Sequence, residues 1–510
     1  MLLALLLALG CSATPEPTET PRPDSPGETT PSDTLDTGTT PSTVVEDDEL
    51  EVTVEATEVP TVLRVRVVTP EPSRAYVRFG REGNLDRQTP ESPLGTEHAF
   101  LLLGMPAGAE VSFRVHAGAL DSEVFVERLP QPDPRLPQLT LAVPAAPSSQ
   151  VAGNYVLFAG PEAGATGPTA TMYVTIINDR GEYVWWKRLP EDRGTSAGMP
   201  ALDGRSLYWS EVDTHREDPQ GRIVRYALDG TLLSETLVNE PHHVALELAD
   251  DTFAFLSHTY HDAEGTDYDW FMTDSVVVVP EGGAEPDAVE VFSVWDDLFD
   301  GSYGTIPREA DVCDGHIINV FGRRNICELT HTNSLTFDPV EEQFSIMVRW
   351  LDAVVTFDRT GEVQWQLAGP WSDFTTTDGE ALWDSPEESP IWSYPHFSQT
   401  WDGGMVMFDN GVNHEEPISS FVEVAYDEKQ GTVRELFRYY ERDGGQTISM
   451  GDARKLSGGN YLTSWMALQY MAEISQAGQE VWRVESPQPT RRLHLLENLY
   501  DLSDIGGAYR

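Results

Sequence analysis

A unit of strand, tight turn of the Asp-x-x-Gly type and second strand, often closed by Trp, recurs along the chain. Such a repeat constrains architecture more than any single motif. It reads Asn178-Asp179-Arg180-Gly181-Glu182-Tyr183-Val184-Trp185, and again Leu228-Asp229-Gly230-Thr231-Leu232. It returns as Phe357-Asp358-Arg359-Thr360-Gly361-Glu362-Val363-Gln364-Trp365, as Asp427-Glu428-Lys429-Gln430-Gly431-Thr432-Val433 and as Gln476-Ala477-Gly478-Gln479-Glu480-Val481-Trp482. A degenerate copy lies at Glu281-Gly282-Gly283, closed by Trp295. From Gly181 to Gly230, and from Gly431 to Gly478, the interval is the roughly 40–50 residues of one four-stranded propeller blade. A second element, a turn entering an apolar strand, recurs at Asp203-Gly204, Asp402-Gly403-Gly404 and Gly458-Gly459. Six units fit the length, so residues 153–510 are expected to form an all-β, six-bladed β-propeller.

The segments before it read differently. Met1 to Leu9 is almost purely apolar and ends in Gly10-Cys11, which has the form of a lipoprotein signal with Cys11 lipidated. Residues 12–48 are rich in Thr, Pro, Ser, Asp and Glu and carry too little apolar surface to fold, so a disordered tether is expected. Residues 49–129 alternate apolar and polar positions in short runs, as in Leu63-Arg64-Val65-Arg66-Val67 and Val111-Ser112-Phe113-Arg114-Val115. That is the pattern of a small antiparallel β-sandwich, with turns of fibronectin-III-like character. Residues 130–152 are Pro-rich and read as a linker. Taken together these features predict an extracytoplasmic protein, held to the outer membrane or cell surface only through its lipid.

With 84 acidic against 33 basic residues and a net charge of −51, the surface repels nucleic acid and anionic lipid. An anionic small molecule would therefore need a local cationic pocket. Apart from Cys11, the cysteines are Cys313 and Cys327, which in an oxidising compartment could close a short disulfide loop.

In a propeller, loops from every blade meet at one axis, so the site is sought among His, Arg and amide side chains at equivalent places. Four places stand out: Pro241-His242-His243-Val244, His331-Thr332-Asn333-Ser334-Leu335, Arg349, and Tyr394-Pro395-His396-Phe397. His258 and His261, flanking Tyr260, read as surface loop residues, and so does His414.

The order of motifs is more specific than any one of them. His331-Thr332-Asn333-Ser334-Leu335-Thr336-Phe337-Asp338-Pro339 is followed by Val348-Arg349-Trp350-Leu351-Asp352, and later by Gly361-Glu362-Val363-Gln364-Trp365 and Met407-Phe408-Asp409-Asn410-Gly411. This order resembles the bacterial PAPS-independent arylsulfotransferases over about residues 153–486. The resemblance implies transfer of a sulfuryl group from an aryl sulfate to a phenol through a sulfated histidine. It places the nucleophile at His396, with His331, Arg349 and His243 (or its neighbour His242) in the same pocket. His242, Asn333 and Phe397 are further lining candidates, and no metal or nucleotide cofactor is required. Pro395 and Phe397 stand where the family commonly has polar or small residues. The alternative reading is therefore a surface-displayed propeller that binds an aromatic or anionic ligand without turnover. A quinoprotein-like dehydrogenase ranks last, since the chain carries no vicinal cysteine pair.

Overall fold

The computed structural model describes residues 42–46, 50–165, 170–299, 301, 317–382, 391–502 and 504. Cys11, the tether before residue 42, and Cys313 lie outside the described residues. Cys327 is disulfide-bonded.

The period-two segments form two facing sheets. One contains Ser42–Glu46, Glu51–Ala56, Leu63–Ser73 and Gly95–Leu102; the other is centred on Ala75–Arg81 and Glu110–Ala117. Their inward positions, among them Val52, Val54, Val65, Val77, Phe79 and Phe113, make one core. Tyr500 ties this unit to the rest of the chain by donating to the Leu101 carbonyl at 2.7 Å.

Six further sheets follow, each built on an antiparallel meander; one is widened by parallel pairing of Trp270–Pro280 with Arg323–Glu328 and another by parallel pairing of Thr375–Thr376 with Thr432–Tyr440. The strand with which each meander starts, its first strand, is Met199–Pro200, Pro241–Leu248, Thr332–Asp338, His396–Trp401 and Asp452–Lys455 for the second to sixth sheets. The first sheet is completed by the end of the chain: Arg491–Leu496 pairs with Tyr155–Pro161. Joining the two ends in one sheet ties the first and last sheets together and leaves only short outer edges. The first strands also bond to one another around a ring. The Leu202 N–H donates to Glu247, Thr336 Oγ1 meets Thr400 Oγ1, the Lys455 N–H donates to Gln399, the Leu493 N–H to Asp452, and Arg491 to the Thr195 carbonyl. The architecture is a β-propeller with these strands around its axis. Among the described residues no helix is long and apolar enough to cross a membrane.

The repeat owes its residue types to two jobs. The Asx side chain at the turn accepts backbone N–H groups: Asn178 from Arg180 and Glu182 at 3.0 Å each, Asp358 from Thr360 at 2.8 Å. Glycine then takes the left-handed conformation, with φ of 87° at Gly361, where a Cβ would sit 2.5 Å from the Val291 carbonyl oxygen. The closing Trp reaches the turn of the next sheet. Trp185 donates to the Leu228 carbonyl, and Trp482 of the sixth sheet donates to the Asp179 carbonyl of the first, each at 2.8 Å. Replacing the fully buried Trp482 by Phe removes that bond and leaves a carbonyl without its donor. The expected loss is about 1–3 kcal/mol, read as a lower urea midpoint.

Two segments differ from expectation. Within the Pro-rich stretch, Thr140–Val143 forms a strand on the outer edge of the sixth sheet, paired with Glu480–Glu485; extended, apolar Thr-Leu-Ala-Val can serve as an edge strand despite its proline neighbours. His258 and His261 lie in the strand Thr252–Asp262, not in a surface loop. His414 accordingly is also engaged, 2.9 Å from buried Asp409.

Candidate active site

His243, His331 and His396 come from neighbouring sheets, at or just before their first strands, and ring nitrogens of the three lie within 4.8 Å of one another. What turns them toward one point is a repeated irregularity. The register slips between His242 and Ala245, between Thr332 and Ser334, and between His396 and Gln399. His243, His331 and Phe397 have φ of 53°, 50° and 40°. Bulges re-aim side chains next to sites, and left-handed non-glycine backbone costs energy that the surrounding sheets must offset.

Each histidine is held from behind. His396 Nδ1 lies 2.5 Å from Asn410 Oδ1, while the Asn410 amide nitrogen donates to the Thr447 and Met450 carbonyls at 2.5 and 2.8 Å. Those two acceptors fix the amide's orientation, so Nδ1 of His396 carries the proton and donates it. Its Nε2 therefore carries the lone pair, and it accepts the Met450 backbone N–H at 3.1 Å. His331 Nδ1 donates to the buried Glu328 carboxylate at 2.9 Å, and the Trp350 indole donates to the other oxygen at 3.3 Å. His243 Nδ1 meets His242 Nδ1 at 2.8 Å, and His242 Nε2 lies 3.1 Å from Asp274. His258 stacks on His242 with ring centroids 3.9 Å apart and also faces Asp274, at 3.2 Å.

His243 thus faces the cluster, and His242 stands behind it as a link to Asp274. Arg349 is buried; it donates to the Ile448 carbonyl at 2.7 Å and lies against Trp350 and Tyr394, 4.2 and 5.3 Å from their ring centres. Asn333 donates to the Pro395 carbonyl at 2.8 Å, bracing the strand entry to His396. The Phe397 ring lies 6.2 Å from His396 and 6.4 Å from His243. A cavity of about 60 Å³ opens beside the cluster, lined by His242, His243, His258, His331, Ser210 and Phe321 among others.

Burial, the Arg349 charge and His331 hold His396 well below the usual imidazole range. Burial and the neighbouring imidazoles do the same for His243. Both are neutral at physiological pH. The spacing of the trio is one that a transition metal could use, but the nearby guanidinium opposes a cation and favours an anion.

Unfolded imidazoles titrate near 6.5. Histidines with lowered folded values contribute stability that is full above that pH and lost as pH falls below it. His242, His243, His396 and His494, the last lowered to about 4 mainly by burial, all act in this sense. The unfolding free energy is expected to fall as pH drops below about 6.5, by at most about 1.4 kcal/mol per pH unit for each such histidine, read as a lower urea midpoint. A flat profile between about pH 7.5 and 5 would contradict this.

Asp274, Glu328, Asn410 and Met450 support the site but were not singled out from sequence. Only Asn410, inside Phe408-Asp409-Asn410-Gly411, carried a usable signal. Asp274 precedes Val276-Val277-Val278-Val279, which reads only as a buried strand.

The arylsulfotransferase (ASST) family profile matches residues 154–491, most of the chain. The chain belongs to the arylsulfotransferase family. Family membership supports sulfuryl transfer in general, with small-molecule aryl sulfates and phenols as the substrate class. No curated protein matches the chain. Among solved structures, a protein of unknown function from Bacteroides caccae is similar at 13% identity and a TM-score of 0.37, covering 65% of this chain and 93% of its own. A virginiamycin B lyase from Staphylococcus aureus is similar at 10% identity and a TM-score of 0.30, covering 58% and 72%. A streptogramin B lyase is similar at 11% identity and a TM-score of 0.32, covering 83% and 98%.

Proposed function

We propose that this arylsulfotransferase moves a sulfuryl group from an aryl sulfate to a phenol through a sulfated His396. The observation that carries the reading is the fixed tautomer of His396: a neutral ring with Nδ1–H pinned to Asn410 and a lone pair at Nε2. In the first step Nε2 attacks sulfur, the N–S bond forms and the S–O bond to the donor phenol breaks. Positive charge then spreads over the imidazole, and the Nδ1–H bond to Asn410 strengthens. The Met450 N–H, displaced from Nε2, is placed to donate to a sulfuryl oxygen. Arg349 supplies the permanent positive charge that the oxygens require in a chain of net charge −51. His331, braced by the Glu328 carboxylate, passes a proton to the departing phenolate and later takes one from the acceptor, whose oxygen attacks sulfur as the N–S bond breaks, while His243 lies against the sulfuryl oxygens.

His396 is only 1% exposed. The Thr447–Met450 segment binds Asn410, Arg349 and His396 and holds the ring from one side.

Two-step transfer through one nucleophile gives ping-pong kinetics. The test is release of para-nitrophenol from para-nitrophenyl sulfate with and without added phenol. Release that rises with phenol and saturates is expected; release indifferent to phenol would assign a hydrolase instead. No release with any donor would favour a binding propeller. Arg349→Lys keeps the charge but loses the planar fork, and is expected to lower kcat by roughly 10²- to 10³-fold.

A further inference from the structure

Beyond the histidine cluster, on the far side of Phe397, the propeller axis holds a group of buried cations that the proposed transfer does not use. The last strand, Arg491–Leu496, carries two consecutive arginines and His494 into the interior. Arg492 is 3% exposed, and its Nε and Nη1 have no hydrogen-bond partner. Its backbone sits at the slip in pairing between this strand and Tyr155–Pro161, with φ of 28°. The guanidinium lies 5.2 Å from the centre of the Phe397 ring, which in turn lies 6.2 and 6.4 Å from the His396 and His243 rings.

Arg492 lines a cavity of about 30 Å³, together with Tyr208, Thr336, Arg454, His494 and Asp504. These residues come from the first, second, fourth and sixth sheets and the end of the chain, which places the cavity on the axis. Its carboxylates are engaged. Asp504 lies 3.5 Å from Arg454 and 2.7 Å from His494 Nδ1, and Asp452 lies 3.4 Å from Arg454. Glu247, also on the wall, pairs with Arg225 at 2.7 Å. Among the described residues, Arg492 faces this space without a carboxylate of its own.

We propose that the axial cavity is a binding site for one compact inorganic anion, sulfate or chloride, held by Arg492. An ionised group taken out of water without a partner is strongly unfavourable, and guanidinium does not escape by deprotonation at neutral pH. Burial lowers Arg492 only to about 9, so it stays charged. The cavity has room for a small ion and is too small for an aryl group. An anion there would satisfy the two orphan donors and neutralise the charge beneath the active site.

The test is thermal unfolding of the full chain at constant ionic strength, with sodium gluconate replaced stepwise by sodium sulfate or sodium chloride. Gluconate is too large for the cavity. A saturating rise in melting temperature with either small anion is expected in the wild type, retained in Arg349→Leu and absent in Arg492→Leu. In pure gluconate, Arg492→Leu is expected to melt at or above the wild type, because it removes an uncompensated buried charge. No saturable rise in the wild type would overturn the proposal. So would a rise that survives Arg492→Leu but is lost in Arg349→Leu, which would place the anion at the histidine cluster.

Discussion

His396→Ala is expected to abolish acceptor-dependent sulfuryl transfer, with kcat falling by roughly 10⁴- to 10⁶-fold while the fold is retained. Arg349 can gather the sulfuryl oxygens and the other imidazoles can move protons, but in this reading only His396 forms the bond to sulfur. The ring has been prepared for that role by burial, which keeps it neutral, and by Asn410, which fixes the proton on the nitrogen that does not react. Asn410→Leu should act in the same direction with a smaller loss, because the ring can then also adopt the tautomer that protonates Nε2. Steady-state rates with para-nitrophenyl sulfate and phenol check both. Activity in His396→Ala within about tenfold of the wild type would move the nucleophile elsewhere.

Asp274→Ala is expected to be the most destabilising single change near the site. One carboxylate there serves four groups: Thr330 Oγ1 and the Thr332 N–H at 2.6 Å on one oxygen, with His242 and His258 at 3.1 and 3.2 Å from the other. Asp274 is 1% exposed, and the two histidines hold it well below the usual carboxylate range against the cost of burial. Removing it orphans a backbone N–H, a hydroxyl and two rings in the interior. The expected cost is about 3–5 kcal/mol, seen as a lower urea midpoint at unchanged m. Because His242 links Asp274 to His243, residual activity should fall as well. A loss under about 1 kcal/mol would show that water or a neighbour replaces the carboxylate.

The propeller was readable because its repeat has local causes. The Asx side chain caps the turn, Gly takes positive φ, and Trp reaches the next sheet; each job demands a residue type that survives in the sequence. The order of His331, Arg349 and the Phe-Asp-Asn-Gly strand likewise marked the histidine cluster. What could not be read was set by register. Strict alternation would put His242 and His243 on opposite faces, and only the slip between His242 and Ala245 decides which one meets His331. Asp274, hidden beside a run of valines, acquires its partners from residues far along the chain. The apolar spacing of Leu495, Leu496 and Leu499 reads as a strand or helix docking on the propeller. Its pairing with Tyr155–Pro161, which buries Arg491 and Arg492 on the axis, depends on ring closure and not on local sequence.

The proposed intermediate is covalent, so the most direct measurement is the mass of the protein itself. The full chain is exposed to para-nitrophenyl sulfate without acceptor, and its peptides are mapped. The account expects one added SO₃ on the peptide containing His396, lost on addition of phenol and never formed in His396→Ala. Acceptor-dependent turnover with no such adduct, or an adduct on His331 or His243 instead, would contradict it.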